Sequence, residues 1–138
     1  MSKSTLIDSG VLIALLSRGD RYHDWAVATV SGLRRPFLTC EAVITETCFL
    51  LSRNAQSHQR VFELLERRAV ILSFNLAEEF QVISALMTRY QTVPMSLADA
   101  SLVRMAEIYS NSQVLTLDSD FQIYRMNRDQ VIPTISSK

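Results

Sequence analysis

Four acidic side chains occupy places where a carboxylate needs a reason: Asp8, Glu46, Asp99 and Asp118. Asp8 and Asp118 each follow an apolar run, Thr5-Leu6-Ile7 and Val114-Leu115-Thr116-Leu117, of the kind a buried parallel strand shows. Taken singly, each reads equally as a strand-ending turn residue or helix cap. Glu46 has Ala42, Val43, Phe49 and Leu50 three and four positions away, the spacing of neighbours on a helix, so its carboxylate is expected in the stripe facing the core. An unpaired buried charge costs several kcal/mol, so Glu46 needs an arginine, a proton or a metal. Asp99 has Met95, Leu102 and Val103 as helical neighbours and Ser96 three residues before it, an acidic variant of a capping box. Capping and metal ligation are compatible there, because a carboxylate in the first helical turn is favoured by the helix dipole and stays ionised.

Jointly the four say more. Two carboxylates about 4 Å apart repel by about 4 kcal/mol at an effective dielectric near 20, so several converge in ionised form only around a cation. Oxygen-only ligands select a hard ion, Mg2+ or Mn2+, over zinc. Such an ion polarises a phosphodiester, generates hydroxide from water and stabilises the leaving oxygen. Asp120 is a candidate fifth member, in the first turn after Asp118. The hydroxyls of Thr116 and Ser9 are placed to hydrogen-bond a ligand carboxylate or to position a substrate phosphate.

These residues require elements that carry them to one rim. Strand candidates are Thr5-Leu6-Ile7, Phe37-Leu38-Thr39, Val70-Ile71-Leu72 and residues 114–117, with Val131-Ile132 a short fifth. Between them, helical spacing predicts a short buried helix over 11–16 and longer ones over 20–33, from a Thr39 cap to about Ser52, from Asn54 or Ser57 through Leu65, from an Asn75 cap to about Tyr90, and from a Ser96 cap to about Ser110. Alternating strands and helices predict a three-layer α/β/α sandwich with a central, mostly parallel sheet of four or five strands. In such sheets, sites form beyond the carboxyl ends of the strands, where Asp8 and Asp118 fall.

A length of 138 residues and 48% apolar composition suit one domain spanning 1–138, with no repeat or low-complexity stretch. The longest apolar run, residues 10–16, is far short of a membrane span. The N-terminus lacks a small-x-small cleavage site and carries Asp8 inside its apolar segment, so a soluble cytoplasmic protein is expected. Net charge is zero, which argues against a strongly nucleic-acid-binding surface overall. Twelve of the 14 basic residues are arginine, a side chain suited to bidentate phosphate contacts; Arg18, Arg21, Arg53 and Arg125 are candidates to position a nucleic-acid backbone. Cys40 and Cys48 form no CxxC pair and read as small core side chains. His23 and His58 belong to no H-E-x-x-H and no G-x-S-x-G triad, and His23 is expected to pack on its helix. No G-x-x-x-x-G-K-[ST] or G-x-G-x-x-G is present, which excludes a glycine-loop phosphate cradle. Aspartyl-phosphate chemistry on a similar sheet is disfavoured, since position 10, two after Asp8, is Gly rather than Asp.

The segments Leu6-Ile7-Asp8-Ser9-Gly10, Thr45-Glu46-Thr47-Cys48, Pro94-Met95-Ser96-Leu97-Ala98-Asp99-Ala100 and Leu115-Thr116-Leu117-Asp118 resemble, in order and spacing, the four signatures of PIN-domain ribonucleases, with Ser-Leu-Ala-Asp-Ala the most specific. The resemblance implies metal-dependent endonucleolytic cleavage of RNA. Asp8 and Asp99 would be the main metal ligands, Glu46 and Asp118 would complete the quartet, and Thr116 matches a family polar position. Many stand-alone members of this size are toxins of VapBC pairs. They usually dimerise and are blocked by a small antitoxin, so a homodimer and a cognate antitoxin are implied partners. Two other readings stay open: a non-catalytic RNA- or protein-binding module on the same fold, and a nuclease directed at DNA.

Overall fold

The computed structural model describes residues 2–137. The main sheet has five strands, β1 (Ser4–Ile7), β2 (Phe37–Thr39), β3 (Val70–Leu72), β4 (Ser112–Leu115) and, named last because two short strands precede it, β7 (Thr134–Ile135). All are parallel, in the order β3-β2-β1-β4-β7. Among the described residues, six α-helices flank the sheet: α1 (Ser9–Leu16), α2 (His23–Ser31), α3 (Glu41–Arg53), α4 (Gln59–Glu66), α5 (Leu76–Arg89) and α6 (Leu97–Ile108). The predicted α/β/α architecture is therefore the observed one.

Strand β1 lies at the centre because both of its faces are apolar: Leu6 and Ile7 are fully buried, as are their partners Val114 and Leu115 on β4. From β1 the chain winds outward through β2 and β3, then returns to lay β4 on the other flank. This reversal leaves a crevice beyond the carboxyl ends of β1 and β4, the place where open α/β sheets hold their sites. Helix α1 packs against α2, α3 and α4, while α6 packs on α5 and against β1 and β4. Two of the helices that matter most, α1 and α6, begin at that crevice.

Several expectations are corrected. Residues 131–132 do not form the fifth strand. Val131 belongs to a small antiparallel hairpin, β5 (Arg125–Met126) with β6 (Gln130–Val131), and Ile132 enters the core; Thr134–Ile135 supplies the edge strand. Thr39 ends β2 rather than capping α3, its hydroxyl donating to the Ile7 carbonyl across the sheet at 2.9 Å. Thr116 and Leu117 lie past the end of β4, since β1 offers four residues of ladder and then turns into α1.

On α3 the buried stripe is Val43, Thr47 and Leu51, whereas Phe49 is 57% and Leu50 39% exposed. The apolar neighbours at 49 and 50 thus did not mark the core face. Apolar side chains outnumber the places a three-turn helix can bury. Phe80 on α5 is likewise exposed. Cys40 is buried, its thiol pushed up to about 11 by that burial, and Cys48 is a free, half-buried thiol. His23 faces α1, with Nδ1 2.7 Å from the Ala14 carbonyl.

Candidate acidic site

Asp8 follows β1 and caps α1. Its Oδ1 accepts the Ser9 N–H at 2.7 Å, and its Oδ2 accepts the Thr116 hydroxyl at 2.8 Å. The Thr116 oxygen in turn accepts the Asp118 N–H at 2.9 Å, and Asp118 Oδ1 accepts the Asp120 N–H at 2.9 Å. One chain of bonds therefore sets the ends of β1 and β4 relative to each other. Thr116 is buried, and its proton is committed to Asp8 rather than turned outward to a phosphate. Ser9 Oγ lies 3.3 Å from Glu46 Oε2 and 3.5 Å from Asp8 Oδ1, so its one proton is shared between the two acids and ties the start of α1 to α3.

Asp99 stands across from these on α6. The capping box is complete: Ser96 Oγ accepts the Asp99 N–H at 3.0 Å, and Asp99 Oδ2 lies 3.4 Å from the Ser96 N–H. The same Oδ2 accepts the hydroxyl of Tyr124 at 2.8 Å. Capping uses one side of the carboxylate only; Oδ1 has no hydrogen-bond partner among the described residues.

All four acids line one open cavity of about 420 Å3, together with Ser9, Ser96 and Asp120. No Arg or Lys lines it. Among the described residues, no ion pair reaches any of the four; those formed join Arg104 to Glu79 and Glu107. Arg18, Arg21, Arg53 and Arg125 are all absent from the cavity wall. Arg21 and Arg53 instead lie over the rings of Tyr22 and Phe49, and Arg125 bonds nearby carbonyls. Arg35, Arg67 and Arg68 border a separate apolar cavity near the start of β2 and β3.

The electrostatics follow from this placement. Burial pushes Asp8 up to about 6, and the charges of Asp99 and Glu46 push in the same direction, against the bonds from Thr116 and Ser9. Glu46 is raised by burial, then by Asp99 and Asp118. Asp99 is raised by burial and by Asp118, with the Tyr124 bond opposing. Tyr124 is held firmly protonated by its own burial and by the carboxylate it serves, so it acts as donor only.

As placed, no three His, Cys, Asp or Glu side chains among the described residues are close enough together to hold a metal ion. The acids share a wall rather than a finished coordination shell, which departs from the tight convergence expected. Their chemistry still fits a hard cation. The donors are oxygen only, each repels the others, and Glu46 Oε1, Asp99 Oδ1 and Asp118 Oδ2 have no partner among the described residues.

The family profile described as PIN domain matches residues 5–126. Among solved structures, the chain is similar to VapC20 of Mycobacterium tuberculosis, described as a sarcin–ricin loop cleaving toxin. The TM-score is 0.78 at 20% identity, over 87% of this chain and 94% of that one. No curated protein sequence matches.

Proposed function

Because the chain belongs to the PIN domain family, we propose that it is a Mg2+- or Mn2+-dependent RNA endonuclease. The observation that carries this reading is the cavity itself, walled by Asp8, Glu46, Asp99 and Asp118 with no basic side chain to neutralise them. Asp8, Asp99 and Asp118 would hold the cation, which when bound would act as a Lewis acid on the scissile phosphate and lower the pKa of water beside it. Glu46, the least enclosed of the raised acids, would orient the attacking water and accept its proton on a carboxylate oxygen. Thr116 and Ser9 would position carboxylates: Thr116 fixes Asp8, and Ser9 sets the spacing of Asp8 and Glu46. Asp120 would contribute through the backbone bond that fixes Asp118.

Likeness of fold to a toxin supports placement as the toxin of a toxin–antitoxin pair, acting in the cytoplasm as one domain. No helix of the described residues is long and apolar enough to cross a membrane. Leu76 and Phe80 of α5 and Leu97 of α6 are exposed beside an open groove, which supports a homodimer through this face.

The test incubates purified protein with RNA and with single-stranded DNA, each with manganese or with EDTA. Manganese-dependent cleavage of RNA is expected, and its loss in Asp8→Asn and Asp99→Asn. Cleavage of DNA alone would move the substrate. Wild-type activity in both variants would remove this mechanism, whereas no cleavage of either substrate by the wild-type protein would leave a binding module.

A further inference from the structure

The stretch after β4 contributes more than Asp118. It delivers two buried hydroxyls, from Thr116 and Tyr124, each of which donates to one oxygen of a facing acid. Thr116 was visible beside Asp118, but Tyr124 lies 25 residues beyond Asp99 with no local signal linking the two. Its side chain is fully buried, edge-on to Tyr90 and Phe121 at ring distances of 5.1 and 5.3 Å. The ring therefore cannot swing away, and its hydroxyl is delivered to Asp99 from a fixed place. The Tyr124 N–H also bonds the Asp120 carbonyl, at 3.1 Å, so one residue ties the turn carrying Asp118 and Asp120 to the first turn of α6.

We propose that Tyr124 is a positioning residue of the acidic site, holding Asp99 by Oδ2 so that Oδ1 is left for the cation and keeping the 118–120 turn in register with α6. This rests on the metal-dependent reading above. Outer groups that orient a ligand in this way typically tune metal affinity by 10–100-fold when removed.

Tyr90 supplies the control. It sits in the same aromatic group, and its hydroxyl accepts the Arg125 N–H at 2.9 Å without touching an acid. Both Tyr124→Phe and Tyr90→Phe delete one buried oxygen and keep the ring. Manganese affinity is measured by calorimetry on the whole chain, alongside melting temperature in EDTA and kcat and KM on an RNA substrate. Tyr124→Phe is expected to bind manganese at least tenfold more weakly and to lose kcat with KM little changed. Tyr90→Phe is expected to lose comparable thermal stability yet bind manganese as wild type does. Equal manganese affinity in Tyr124→Phe and wild type overturns the role, as does an equal loss in both variants, which would make it a packing effect. Failure of the wild-type protein itself to bind manganese overturns the functional reading, and this role with it.

Discussion

At the scale of single residues, the acids are held by a small number of directed bonds, and their energetics can be read from proton affinity. Asp8 is only 6% exposed and is raised from 3.8 to about 6. An acid whose folded pKa is raised stabilises the fold when protonated, and that contribution is lost as pH rises through the folded value. Without metal, stability is therefore expected to fall between about pH 4 and pH 6, by about 3 kcal/mol from Asp8 alone, with Glu46 and Asp99 acting in the same direction. Denaturant melts in EDTA across that range check this; a flat profile would mean that Asp8 is better solvated than its position implies. Asp8→Asn should flatten the curve. It should also stabilise the metal-free protein at pH 7 by about 1–2 kcal/mol, once the weakened bond from Ser9 is subtracted. Thr116→Val should cost about 1–3 kcal/mol, since it strips a donor from Asp8 and an acceptor from the Asp118 N–H.

Elements decide which of these residues the sequence reveals. Ser96 and Asp99 announce themselves, because a capping box is local: four consecutive residues contain both partners and the reason for the helix start. Ser96→Ala is expected to destabilise by about 1 kcal/mol and to weaken manganese binding less than Tyr124→Phe, because the Ser96 hydroxyl accepts the Asp99 N–H and influences the carboxylate less than the Tyr124 hydroxyl does. Comparing the two by urea unfolding and calorimetry separates capping from ligand orientation. Only half of the apolar stripe around Glu46 is covered. Ala42 and Val43 do lie toward the interior, but Phe49 and Leu50 face outward. Helical periodicity reports that a face is apolar, whereas the turn and tilt of α3 choose which apolar residues are covered. The edge strand falls a few residues beyond its expected place for a related reason. Val131-Ile132 and Thr134-Ile135 are equally strand-like in isolation, and pairing with Val114 and Leu115 selects the second.

For the molecule as a whole, the arrangement predicts strong linkage to divalent cations. Manganese at a hundredfold excess over its dissociation constant should add about 2.7 kcal/mol, a rise of about 10 °C in melting temperature for a chain of this length. Asp8→Asn and Asp99→Asn should abolish the rise. A thermal-shift titration checks this, and an unchanged melting point would leave the shared acidic wall without its cation. The apolar face of α5 and α6 carries a separate expectation: Phe80→Glu should convert a dimer to a monomer in light scattering without loss of helix content, since Phe80 is 57% exposed and leaves no core cavity.

The alternation of strands and helices, the carboxyl-edge placement of Asp8 and Asp118 and the capped start of α6 are legible in the residues alone. Each depends on neighbours within one turn or one strand. That four acids spaced across 110 residues share one cavity free of arginine, that Thr116 serves Asp8 and that Tyr124 reaches Asp99 emerges with the folded chain. Those contacts join elements distant along the chain. They exist because the crossing from β1 out to β3 and back to β4 closes the sheet's carboxyl edge around them.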